Sequence, residues 1–141
     1  DMDWRTNPDL NLREYKVASS GVPRPFPKRE PGPNRDAPFA VPYPAFTRSR
    51  IEVVLPGDGK GYTVRGPNGA VHVGGYEIVS TAAMKGNVAS FTVDQRSLTP
   101  EISAAEAEAA NAAIRKLRDV DSLIRAPASG PPAAARASDA R

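Results

Sequence analysis

At 141 residues, 40% of them hydrophobic, the chain is long enough for one modest domain with tails, or for a piece of something larger. Its 19 Lys and Arg stand against 16 Asp and Glu, and no segment concentrates the basic groups, so the pattern by which nucleic-acid binders displace counterions is missing. There is no cysteine and a single histidine, His72, which excludes disulfides, thiolate metal sites and a cysteine nucleophile, and leaves too few imidazoles for an ordinary zinc site.

No stretch approaches the roughly 18 apolar residues that a membrane span needs, so no membrane insertion is predicted. The opening Asp1-Met2-Asp3-Trp4 lacks the basic-then-apolar order of a signal peptide.

In chain order, residues 1–46 read as an extended arm. Eight of the 15 prolines fall between Pro23 and Pro44. Each fixes its own φ, lacks an N–H and biases the preceding residue toward extended backbone, so helix is excluded. Within the arm, residues 10–17, "LNLREYKV", alternate well enough for one short strand. Trp4, Tyr15, Phe26, Phe39, Tyr43 and Phe46 punctuate the arm, which a solvated linker would not need. A strap packed across a neighbouring surface is predicted, in preference to a ligand for an aromatic-lined groove, because "PRPFP" gives no clean PxxP repeat.

Residues 47–98 read as an antiparallel β meander. Ile51, Val53 and Leu55 alternate with Arg50, Glu52 and Val54, and Pro56 stops the run. "GYTVRG" supplies a short strand with Tyr62 and Val64 on one face, and Gly66-Pro67-Asn68-Gly69 a turn. "AVHVGGYEIVSTAAM" is one bent strand or two strands divided at Gly74-Gly75, where a bulge is the favoured reading. A tight hairpin at Lys85-Gly86-Asn87 leads into a strand with Ala89, Phe91 and Val93 on one face.

Residues 99–125 are predicted to form one amphipathic helix that covers the sheet. Thr99 serves as N-cap, Pro100 as first helical residue and Glu101 as first-turn acid. The apolar stripe is Ile102, Ala105, Ala109, Ala113, Leu117, Val120 and Ile124, flanked by Ala110, Ile114 and Leu123, and Pro127 ends it. At about 25 cal/mol per Å² of buried apolar area, the larger residues of the second half dominate docking. Arg115/Asp119 and Asp121/Arg125 are placed as i,i+4 pairs. Residues 126–141 form a low-complexity Ala/Pro tail with too little apolar bulk to order itself. The fold class is therefore α+β: a small antiparallel sheet of four to six strands, one C-terminal helix and a long proline-rich arm.

The chemistry-bearing candidates are thin. "VLPGDGKGYTV", residues 54–64, looks like a phosphate loop but has Val54 where a Walker loop needs its first glycine, Gly61 where it needs Ser or Thr, and a strand instead of a helix after it. A glycine-rich hairpin joining two strands is predicted there. His72, in "VHV", is read as a surface residue, and Glu106 and Glu108 do not share a helix face. No catalytic, cofactor-binding or metal-binding residue is predicted, and the chain is read as non-enzymatic.

The succession "DWRTNPDLNLREYKV", "RSRIEVVLPGDGKGYTVRG", "HVGGYEIV" and "RSLTPEISAAEAEAANAAIRKLRDVDSLIRAP" resembles the C-terminal part of large bacterial transglutaminase-like proteins. In that family an N-terminal β-rich domain of unknown function precedes a papain-like core, usually in exported proteins of Gram-negative bacteria. The resemblance runs from about Asp3 to Pro127. It implies that the family's catalytic Cys, His and Asp lie upstream, and none maps onto this chain. What it implies is a detached non-catalytic module, periplasmic or extracellular, whose partner is the core domain or another protein chain. The alternative is a structural module that self-associates through strand edges and its arm.

Overall fold

The computed structural model of the protein describes residues 3–18 and 21–127. In chain order it contains β1 (Arg5–Asn7), β2 (Leu12–Val17), β3 (Phe39–Ala40), β4 (Phe46–Val54), β5 (Thr63–Arg65), β6 (Gly69–Val73), β7 (Tyr76–Lys85), β8 (Val88–Ser97), β9 (Glu101–Ile102), α1 (Ala104–Asp119) and β10 (Ser122–Arg125). The architecture is α+β with antiparallel pairing throughout these strands.

The main sheet has the order β4-β8-β7-β6. Its two long strands are joined by a two-residue loop, Gly86-Asn87, with Lys85 opposite Val88 and Gly86 at φ 59°. Gly74-Gly75 is likewise a two-residue hairpin loop between β6 and β7, not a bulge. Its φ values of 56° and 80° are the left-handed pair that matches the twist of a hairpin.

A second sheet, β1-β2-β10-β5, was not expected. It takes two segments from the predicted meander and helix. The strand β5 leaves the main sheet and pairs with β10, Val64 opposite Ile124. Residues 54–64 are therefore a crossover between two sheets, not a hairpin, because β4 pairs with β8 and not with β5. The crossover seats against the β7–β8 loop: Leu55 N–H donates to Asn87 O at 2.7 Å, and a Cβ on Gly59 would lie 2.7 Å from Gly86 O.

The helix is shorter than predicted at both ends. Residues 101 and 102 form β9 against β3, with Phe39 opposite Ile102. Ser103 is the N-cap: its hydroxyl accepts from Glu106 N–H at 3.1 Å while the Glu106 carboxylate accepts from Ser103 N–H at 2.8 Å, a reciprocal capping box. At the other end the chain turns extended at Val120 and becomes β10, which is paired on both sides. The buried face is Ala107, Ala110 and Ile114, with Ala113 and Leu117 beside it; Ala105 and Ala109 are exposed. The predicted Asp121/Arg125 pair does not form as an i,i+4 contact. Lys16 pairs with Asp121 and Glu14 with Arg125 across the second sheet. Ala126, assigned to the tail by composition, is buried and its N–H donates to Arg13 O at 2.9 Å. The rest of the predicted tail, residues 128–141, lies outside the described residues.

One face of the main sheet thus carries two cores side by side. Toward β6, Val73, Tyr76 and Ile78 pack against Ala107, Ala110 and Ile114 of the helix, with Val22, Phe26 and Phe39 closing the side. Toward β4, Ala89, Phe91, Ile51 and Val53 pack against Val17, Ile124 and Val64 of the second sheet. Trp4 finishes this end, 5.9 Å from Tyr15 and 6.1 Å from Tyr62 between ring centroids. The proline-rich residues lie on the helix side, where Asn111 uses both ends of its amide: its Oδ1 accepts from Phe26 N–H at 2.7 Å and its Nδ2 donates to Phe26 O at 2.9 Å.

Candidate interaction surface

The other face of the main sheet has no layer over it among the described residues. Alternation puts Phe46, Arg48, Arg50, Glu52 and Val54 of β4 there, beside Asp94 and Arg96 of β8 and Glu77 and Val79 of β7. Phe46 is 52% exposed and Val54 70%. Apolar side chains at such exposure on a sheet face are where contact with another protein removes most water per residue.

Charged partners frame the apolar positions. The Arg48 guanidinium forms two parallel hydrogen bonds with Asp94, at 2.7 and 2.6 Å, in the cross-strand register of the sheet. That pairing lowers the Asp94 pKa from the ordinary carboxylate value and raises that of Arg48. Arg48 and Arg96 both stand over the Phe46 ring, 5.8 and 5.6 Å from its centroid. His72 is exposed at the far edge, with Nε2 3.1 Å from a Glu77 carboxylate oxygen.

Two hollows lie among the described residues. An open crevice of about 450 Å³ is lined by residues 27–34 and Phe39. Arg29 lies in its wall, 4.1 Å over the Phe39 ring, with Nη2 donating to Pro38 O at 2.7 Å. A cavity of about 40 Å³ lies between the inner face of the main sheet and the C-terminal end of the helix, lined by Val22, Ile78, Phe91 and Leu117 among others. It is too small for a substrate. Among the described residues no cluster of three or more His, Asp or Glu is placed to hold a metal ion, and no described helix is long and apolar enough to cross a membrane.

Sequence reasoning placed the inward residues Ile51, Val53, Ala89 and Phe91 on one face, and the structure gathers them in one core. It placed Phe46 in the arm rather than in a strand and did not single out Arg48 and Arg96; the three come together only through the β4–β8 register. Comparisons with protein-family models, with curated proteins and with solved structures found no match.

Proposed function

We propose that the chain is a non-catalytic accessory module of a transglutaminase-like exported protein, one that packs on or supports a papain-like core. The reading is supported by the resemblance of residues 3–127 and by one observation, the uncovered outer face of the main sheet with Phe46, Val54 and Val79 exposed on it. This face offers apolar anchors inside a frame of mixed charge, the composition of a protein-binding surface rather than of a substrate pocket. The implied location is periplasmic or extracellular.

Isothermal titration of the full chain into the separately expressed core domain tests the reading. Binding that weakens at least tenfold in Phe46→Ala is the expected result. No heat of binding, or binding indifferent to Phe46→Ala and Val79→Lys, refutes the outer face as the docking surface.

A second reading, association between modules through sheet edges, is favoured by a separate observation: β4 is a nine-residue strand paired on one side only among the described residues.

A further inference from the structure

Among the described residues the edge at β4 differs from the other five: β6, β1 and β5 have five, three and three residues, and β3 and β9 two each. Edges in natural proteins are blunted by short length, charged side chains, proline, bulges or inward-pointing charge; β4 carries Arg48, Arg50 and Glu52, charges of both signs on its outer face, but is long and has no proline, bulge or inward charge. Prolines stand just outside it at Pro44 and Pro56. Its register with β8 runs from Phe46 opposite Arg96 to Val54 opposite Val88 without a skipped residue. The positions that alternate toward the core are Thr47, Ser49, Ile51 and Val53, all uncharged.

Backbone parity is set at both ends of this strand. Leu55 N–H donates to Asn87 O at 2.7 Å, and Ser97 N–H donates to Ala45 O at 2.9 Å. With the register unbroken between them, odd-numbered residues turn their N–H and C=O toward β8. Phe46, Arg48, Arg50, Glu52 and Val54 therefore direct theirs to the free edge.

We propose that β4 pairs antiparallel with β4 of a second copy of this chain, with Ile51 on the two-fold axis, merging two four-stranded sheets into one of eight strands. This rests on the second reading above, association through an edge, and names its strand, register and partner. The register follows from charge. With Ile51 at the axis, Arg50 lies opposite Glu52 of the second copy and Glu52 opposite Arg50, while Arg48 lies along the exposed Val54. Both charged pairs fall at positions whose backbone groups face each other. Moving the axis to Arg50 or to Glu52 sets that residue against itself, and moving it to Ser49 sets Arg48 against Arg50; like charges directly opposite destabilise a strand pair. Within one copy Arg50 and Glu52 already neutralise each other along the strand, so the interface re-pairs two charges without stranding either. On the core side Ile51 meets Ile51, continuing the apolar layer across the axis.

Sedimentation equilibrium on the full chain tests this. The expected species is a dimer, twice the 15.0 kDa chain. Glu52→Pro removes an N–H that faces the free edge and no bond of the fold's own ladder, so the variant is expected to keep its circular dichroism spectrum and sediment as a monomer. Glu52→Lys is expected to weaken the dimer about tenfold by setting two like-charged pairs in opposition. Arg50→Glu combined with Glu52→Arg restores it. A wild-type chain that stays monomeric at millimolar concentration overturns both this inference and the edge reading. A dimer that survives Glu52→Pro, or a charge reversal that the double swap does not rescue, overturns the β4 register and leaves association through another edge standing.

Discussion

Gly59 and Gly57 sit two residues apart in the crossover, both with positive φ, and only one is hemmed in. At Gly59, φ 75°, a Cβ would meet Gly86 O and the Asn87 Cα within 2.8 Å; at Gly57, φ 61°, it would meet nothing within 4 Å. Gly57→Ala is expected to cost about 1–2 kcal/mol for the left-handed backbone alone. Gly59→Ala adds the collision and should cost clearly more, as urea denaturation of the two variants will show. Asn111 is the other residue whose role the structure isolates. Asn111→Ala leaves the Phe26 N–H and C=O without their partners at a half-buried site, an expected loss of about 1–3 kcal/mol. An unchanged denaturation midpoint would remove the clamp from the account. Three carboxylates add to the acid sensitivity of the fold. Glu14 is held below its ordinary 4.5 chiefly by the hydrogen bond from Arg125, Asp94 below 3.8 by Arg48, and Glu106 below 4.5 by the N–H of Ser103. A lowered folded-state pKa means stability that is complete above the ordinary value and lost as pH falls through the folded one. Thermal midpoints should thus drop below about pH 4.5, and Glu14→Gln should flatten part of that drop.

At the level of elements, the helix shows what local pattern carries and what it does not. Ser103 and Glu106 spell a capping box in the sequence itself, S-x-x-E before an apolar run, and Thr99-Pro100 only imitates a helix start. Ser103→Ala should cost about 0.5–2 kcal/mol, read by chemical denaturation. Ile114→Ala, at a fully buried position facing Ile78 and Tyr76 in one core, should cost about 2–5 kcal/mol. The helix end was not legible. Residues 122–125 fit a helical stripe as well as a strand. They become β10 because β2 and β5 offer pairing on both sides, and tertiary pairing overrides a weak helical preference. The long strands β7 and β8 were readable because ten residues of alternation hold a period-2 signal. The three-residue β5 was recognised as a strand, but nothing in so short a run tells which sheet it joins.

For the molecule as a whole, one continuous sheet supports two cores, so damage to either should be felt in a single transition. Phe91→Ala on the β4 side should cost about 3–5 kcal/mol and, like Ile114→Ala on the helix side, shift one cooperative calorimetric peak rather than split it. Two separate peaks would mean that the halves fold independently. The outer face was the part of the candidate surface least visible beforehand. Arg48 and Asp94 are 46 residues apart, and neither residue carries a local sign of the other. The edge was visible as an alternating run; its exposure depended on knowing that β4 ends the sheet.

The placement of β10 in the middle of its sheet also sets an order of events during synthesis. Among the described strands β1 and β2 are made ahead of the rest, yet the strand that joins them to β5 follows all the others, and the Glu14–Arg125 contact spans 111 residues. Until residue 125 has left the ribosome, the emerging chain holds Trp4, Tyr15 and Val17 with no strand to close over them. The helix-side core, which needs nothing beyond residue 117, can form ahead of it.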